Sequence, residues 1–247
     1  MPAAMPARGD PLLDQLIEHA ARPYRAAGRI AYQFARGKLS GDPVFFAVLA
    51  QGLLPVRGQL TDLGCGQGSL IALLLAAREM HAAGKWPGDW TPPPSALRLY
   101  GVDLRPAAVR AATTAFGERA RVGLGDIRTV PIPTSDAIAI LDVLHYIDPD
   151  DQRSVLERCH AALRPGGVLL LRVGDAGAGW RFIVTSLGDR FITMLRGTLF
   201  PRFHCRPIEE WRALVEGIGF DVATQPMSEG TPFANVLFVA RRKERIA

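Results

Sequence analysis

Apolar and polar positions alternate along the chain in blocks that change period. Over 11–21 (PLLDQLIEHAA) the apolar residues recur three and four apart, and Asp10 stands where an N-cap belongs, which predicts a first helix. Pro23 restarts the chain, and 24–35 again reads as a helix, with Ile30 and Phe34 four apart. Residues 37–43 break it, and 44–54 form a third helix. A short β-compatible stretch, 59–63, then runs into Gly64, Gly66 and Gly68, after which Leu70, Ile71, Leu73, Leu74 and Leu75 make the chain helical from Ser69. Strand 97–102 ends at Asp103, and 105–116 is a helix. Residues 120–124 are a short third strand. Residues 135–141 (SDAIAIL) are nearly all apolar, as a strand buried on both faces should be. Helix 149–163 closes on Arg164-Pro165-Gly166-Gly167, followed by strand 168–173. After a glycine-rich stretch, 174–179, and a long apolar-rich segment, 180–203, helix 208–216 leads to two last strands, 220–224 and 235–240, expected as a hairpin at one sheet edge.

Strands that alternate with helices predict an α/β fold with a mostly parallel sheet. The division expected is 1–54, a loose tail with cap helices, and 55–247, the main domain, carrying an insert at 175–206. A proline- and tryptophan-containing stretch, 81–95, with Trp86 and Trp90, reads as a surface loop that lengthens one helix-to-strand connection.

Composition narrows the class. At 247 residues with 48% hydrophobic and 21% charged residues, the chain reads as one ordinary globular domain. No apolar run reaches the ~20 residues of a membrane span, and the start lacks the apolar core of a secretory signal. Cys65, Cys159 and Cys205 are scattered without disulfide or zinc spacing, which points to a reduced, cytoplasmic chain with no metal site. The net charge of +5 rests on 29 basic residues, of which Lys38, Lys85 and Lys243 are the lysines. The arginines are spread rather than striped among aromatics, so no nucleic-acid partner is expected.

The chemistry gathers at residues 59–70, QLTDLGCGQGSL. Strand, glycine loop and helix bring a ligand to a strand's carboxyl end and a helix N-terminus. The spacing is G-x-G-x-G, not the G-x-G-x-x-G of a dinucleotide site, and no G-K-S or G-K-T follows as in a phosphate-cradling loop. Asp62 before the loop suits a cationic ligand better than a pyrophosphate.

Asp62-Leu63-Gly64-Cys65-Gly66-Gln67-Gly68 resembles motif I of the class I S-adenosylmethionine-dependent methyltransferases, and the resemblance extends over about residues 44–240. It implies a Rossmann-like, seven-stranded, mostly parallel sheet with helices on both faces and an N-terminal helical cap. It also implies S-adenosylmethionine as cofactor, with S-adenosylhomocysteine as product. Asp62, Gly64, Cys65, Gly66 and Gly68 would form the loop around the methionine part. Asp103, with Leu104 after it, would take the ribose, since one carboxylate can accept from two hydroxyls. Asp126 would bond the adenine amino group, Ile127 would pack on the ring, and Asp142 would stand at the methionine moiety. The R-P-G-G turn before strand five is a further signature.

No universal catalytic residue follows from such a fold, because a sulfonium methyl is already electrophilic and needs mainly an aligned nucleophile. His145, a few residues after the fourth strand, is the first candidate general base, against the alternative of a histidine packed under the cofactor. His204 is the second, and Cys205 lacks the Pro-Cys context of a pyrimidine-methylating nucleophile. Tyr24, Tyr32, Tyr146 and Trp180 are candidate substrate contacts, and Arg36 and Lys38 are candidate pocket residues with the first two; for Tyr24, Tyr32, Arg36 and Lys38 ordinary helix packing and surface charge are the alternative. Asp142-Val143-Leu144-His145 replaces the Asn/Asp-Pro-Pro-aromatic motif of base-amino methyltransferases. The apolar-rich segment 180–203, where such enzymes often place substrate-covering elements, suggests a small, hydrophobic or aromatic/acyl acceptor. The rivals are a non-catalytic cofactor-binding or interaction module on the same fold and a nicotinamide oxidoreductase, which the loop spacing disfavours.

Overall fold

A computed structural model describes residues 10–88, 90–176, 204–227 and 234–243. The expectations placed on Trp180 and on most of the 175–206 insert lie outside them. The described strands form one seven-stranded sheet in the order β3-β2-β1-β4-β5-β7-β6, with helices along it. By its internal contacts the chain divides into two units, Met1–Ala137 and Ile138–Ala247.

The first unit opens with α1 (Pro11–Ala21). Its cap is the one expected: the Asp10 carboxylate accepts from the Leu12 N–H at 2.9 Å. Leu16, Ile17, Ala20 and Ala21 form the buried stripe, which lies against the later helix α4. A 3-10 turn, Arg22–Ala27, follows, and α2 is Arg29–Gly41. Here the expectation needs correcting. The break falls at Gly28, whose φ of 112° only glycine adopts readily, and the helix runs on through Gly37. Glycine inside a helix costs only ~1 kcal/mol, which packing overrides. Ile30, one of the two apolar residues four apart, is 87% exposed. α3 (Val44–Ala50) is shorter than expected but buried at every position.

β1 (Arg57–Leu63), β2 (Ala96–Asp103) and β3 (Arg121–Leu124) are parallel, Leu60 opposite Leu99 and Tyr100 opposite Arg121. Between β1 and β2 lies α4 (Ser69–Ala82), apolar on all sides and buried along most of its length. The connection after α4 is not loose: Trp90 is buried, its ring edge-to-face with Trp86 at 5.5 Å, and Arg78 donates to the carbonyls of Pro94 and Leu97. α5 (Pro106–Phe116) joins β2 to β3. β4 (Ser135–Leu141) begins in this unit, where the Asp136 carboxylate accepts from the Gln59 N–H at 2.8 Å, and ends in the second.

In the second unit α6 (Pro149–Ala162) is capped by Asp148, which accepts from the N–H groups of Asp150 and Asp151. β5 (Leu163–Gly174) starts five residues before the expected strand, so the R-P-G-G segment belongs to its N-terminal end. α7 (Ile208–Ile218), β6 (Phe220–Pro226) and β7 (Asn235–Arg242) complete the unit. β7 pairs antiparallel with both β5 and β6, which gives the hairpin edge the sequence predicts. Among the described residues no helix is long and apolar enough to cross a membrane.

Candidate functional site

The glycine loop between β1 and α4 is held by its own backbone. The N–H groups of Gly64 and Cys65 both donate to the Val102 carbonyl, at 2.8 and 2.9 Å, and that of Gly68 donates to Cys65. Gly64, Gly66 and Gly68 have φ of 75°, 62° and 77°, the left-handed region that side chains resist. At Gly68 space is a second requirement, since a Cβ there would stand 2.7 Å from the Phe116 ring. Cys65 turns its sulfur onto Gly101 of β2, and burial raises its thiol pKa. It is a packed residue, not a reactive thiol.

Asp62 is 3% exposed. Burial first, then the nearby Asp103 carboxylate, raises its pKa to about 7. Among the described residues no arginine and no backbone N–H donates to it. The Gln67 side-chain oxygen is likewise buried with no donor. Buried acceptors of this kind are rare and call for an explanation.

The other strand-end aspartates are occupied. Asp103, 5% exposed, accepts from the Gly66 N–H through Oδ2 at 2.8 Å. Its Oδ1 accepts from the Arg105 N–H and Nε, both at 2.9 Å. Asp126 is held in the same way by the residue two positions on. It accepts from the Arg128 N–H at 2.9 Å and from Nη2 at 2.6 Å, and these bonds lower its pKa. Ile127 beside it is buried, whereas Leu104 is 64% exposed.

The N-terminal candidates separate. Tyr24 is fully buried, and its hydroxyl donates to the Gln67 carbonyl in the loop. Tyr32 donates instead to Glu18 at 2.6 Å, and Lys38 pairs with Asp42 at 2.8 Å. Arg36 stands near Glu18.

In the second unit Asp142 has a φ of 60°, a conformation that aspartate tolerates better than most residues. The Arg172 guanidinium, on β5 and 2% exposed, donates to both of its oxygens, Nε to Oδ1 at 2.7 Å. His145 is buried at 7% exposure, in a 3-10 turn after β4. Burial lowers its pKa to about 4 despite the opposing pull of Asp142, so the imidazole is neutral at pH 7. Its carbonyl accepts from the His204 N–H at 2.9 Å. Gln152, also buried, donates to the carbonyls of Leu144, Ile147 and His204 and accepts from Arg206. This clamp brings His145 and His204 together through backbone, with the Tyr146 ring tilted at 44° to the imidazole, centroids 4.1 Å apart. Cys205 is half-buried in the same segment. Sequence reading missed Gln152 and Arg172 because one lies inside a helix and the other on an apolar strand.

No group of His, Cys, Asp and Glu among the described residues could hold a metal ion. The cradle fits S-adenosylmethionine on its donor set. Asp62 and the Gln67 oxygen are buried acceptors suited to an ammonium, and three left-handed glycines leave no side chain between backbone and ligand.

A mostly parallel α/β sheet with a G-x-G-x-G loop after β1 and acidic residues at or just past the ends of β2 and β3 defines the class I S-adenosylmethionine-dependent methyltransferase type. Residues 61–169 match the family model described as a methyltransferase domain, and this stretch is a domain of that kind, with S-adenosylmethionine as the cofactor of the class. Over 129 residues the chain is 36% identical to a carboxy-S-adenosyl-L-methionine synthase of Chromohalobacter salexigens, a stretch that is 50% of this chain and 43% of that protein. The match thus spans about half the length of the curated relatives. Among solved structures, human N-acetylserotonin methyltransferase in complex with SAM superposes with a TM-score of 0.53 at 19% identity, over 91% of this chain and 56% of that one. The pyocyanin biosynthetic protein PhzM gives 0.60 at 19% identity, over 90% and 61%. At such identities these two likenesses are of fold.

Proposed function

We propose that the protein is an S-adenosylmethionine-dependent methyltransferase whose acceptor is a small hydrophobic or aromatic/acyl molecule. The observation that carries the cofactor part is Asp62, a buried carboxylate without a donor beside a loop of left-handed glycines. Asp62 and Gln67 hold the ammonium, Gly64, Cys65, Gly66 and Gly68 give backbone approach, and Asp103 with Leu104 receives the ribose. Asp126 and Ile127 serve the adenine, and Asp142 orients the methionine moiety. The cofactor, when bound, supplies an electrophilic methyl group. The chain's own work is to align the acceptor and exclude water, and to take a proton where the acceptor loses one. His145 is neutral at pH 7 and can accept that proton at an imidazole nitrogen, with His204 as the second choice. Residues 1–54 act as a cap on the domain formed by 55–247, and Tyr32, Tyr146 and Trp180 are the proposed substrate-side contacts; Tyr24, fully buried with its hydroxyl on the Gln67 carbonyl, is not one of them.

A second reading comes from the relatives named carboxy-S-adenosyl-L-methionine synthase, whose name describes an enzyme that makes a modified form of the cofactor. A non-catalytic binding module is the third. Calorimetric titration with S-adenosylmethionine and S-adenosylhomocysteine, followed by mass spectrometry of turnover with hydrophobic acceptors, separates all three. Micromolar binding with S-adenosylhomocysteine and a methylated acceptor as products supports the first. A carboxylated cofactor supports the second, and binding without turnover the third. Full turnover by His145→Ala with cofactor binding intact would remove the proton role of that residue.

A further inference from the structure

The glycine loop has four anchors, and one of them comes from the N-terminal helical segment. Val102 holds the N–H groups of Gly64 and Cys65, Asp103 holds that of Gly66, and Cys65 holds that of Gly68. The remaining anchor is Tyr24, in the 3-10 turn between α1 and α2, whose hydroxyl donates to the Gln67 carbonyl 43 residues away. The ring is placed as firmly as the hydroxyl. It is fully buried and meets Phe116 edge-on, with centroids 5.8 Å apart. Phe116 is also the side chain that fills the space left by the missing Cβ of Gly68. One aromatic pair therefore grips both ends of the Gln67–Gly68 peptide.

From this geometry we infer that Tyr24 is a positioning residue, which fixes the Gln67–Gly68 peptide of the cofactor loop and makes the N-terminal helices part of the binding apparatus. The peptide plane is the element at stake. If the Gln67 carbonyl turned away, the plane would carry with it the Gly68 N–H, which donates to the Cys65 carbonyl at 2.8 Å. Glycine on one side of that plane makes rotation easy, so an external hold on the carbonyl has something to restrain. The phenol stays protonated at any working pH, since burial raises its pKa, and so it remains a donor. The inference rests on the reading of the loop as a cofactor site, but its effect on the loop can be measured without ligand.

Tyr24→Phe removes one oxygen and keeps the ring packing. Two readouts are taken on the folded variant, well below its melting temperature. Amide hydrogen exchange without ligand should speed up at residues 66–69 and stay unchanged over α1 (Pro11–Ala21). The dissociation constant for S-adenosylhomocysteine should rise about three- to tenfold, the range expected for one buried hydrogen bond. A purely structural tyrosine would lower the melting temperature and move neither readout. Unchanged loop exchange together with wild-type affinity would overturn the inference. Absence of binding by the wild-type protein would remove the functional reading instead, and faster loop exchange in the variant would still establish the restraint.

Discussion

Asp62→Asn is expected to stabilise the ligand-free protein above pH 7 while weakening its hold on the cofactor. The side chain is 3% exposed and its pKa is raised from 3.8 to about 7, by burial first and by Asp103 second. Between those two values the folded chain keeps a proton on Asp62 that the unfolded chain has released. Stability therefore falls as pH rises through that window, and the loss is complete above pH 7. A rise of roughly three pH units corresponds to a ceiling of about 4 kcal/mol. Asparagine removes the ionisation but brings an amide N–H₂ that needs acceptors, which returns about 1–2 kcal/mol. The net gain at pH 8 is then about 2–3 kcal/mol, or roughly 5–10 °C in melting temperature for a chain of this size. At pH 4.5, where wild type is protonated, the gain vanishes. Calorimetric melting of both proteins from pH 4.5 to 8.5, without ligand, gives the difference directly. A difference independent of pH would show that Asp62 does not carry a desolvated charge. S-adenosylhomocysteine titration at pH 8 completes the test, because Asn offers no charge to an ammonium; unchanged affinity would refute the assignment of Asp62 to that group. Residues tuned for a ligand often destabilise the empty protein.

Two further perturbations test the neighbouring aspartates. Arg105→Ala takes the Nε donor from Oδ1 of Asp103 and is expected to tighten S-adenosylhomocysteine binding several-fold, because ribose hydroxyls then meet an acceptor with fewer donors already in place. Weaker binding in the same titration would show that the guanidinium helps to hold the ligand. Arg172→Met leaves Asp142 without its buried partner and should cost about 3 kcal/mol, read as a shift of the urea midpoint. The double variant with Asp142→Asn should recover part of the loss, and a cost under ~1 kcal/mol for the single change would show that the pair is not what holds the β4 terminus.

Elements whose signal was local were legible in the sequence. β4 was legible to the residue, since the apolar run 137–141 follows Ser135-Asp136, with Pro133 two residues before the strand and Asp142 directly after it. The Asp10 cap was legible because a cap acts over two or three residues. The start of α2 at Gly28 was not. Gly28 and Gly37 look alike in sequence, yet only Gly28 takes a φ that excludes side chains, while packing carries the helix through Gly37. The R-P-G-G segment reads as a turn in sequence, and Gly166 does take a left-handed φ of 74° that turns favour, yet β5 already runs through it.

The site divides along the same line, and its electrostatics show why. Motif spacing located Asp62, Asp103, Asp126 and Asp142 at or just beyond the carboxyl ends of β1 to β4. It did not show that three of the four are neutralised by arginine. Two of those arginines, Arg105 and Arg128, stand two residues after their aspartates, so a repeated D-x-R was there to be seen. Arg172 was beyond reach, because it meets Asp142 only when β5 is in place. The exception is Asp62, buried as deeply as Asp103 yet left with its charge unanswered. An uncompensated buried carboxylate persists in a marginally stable protein only if something selects for it. With arginine available at the other three strand ends, the missing partner at Asp62 is best supplied by a cationic ligand, which a fixed arginine there would exclude.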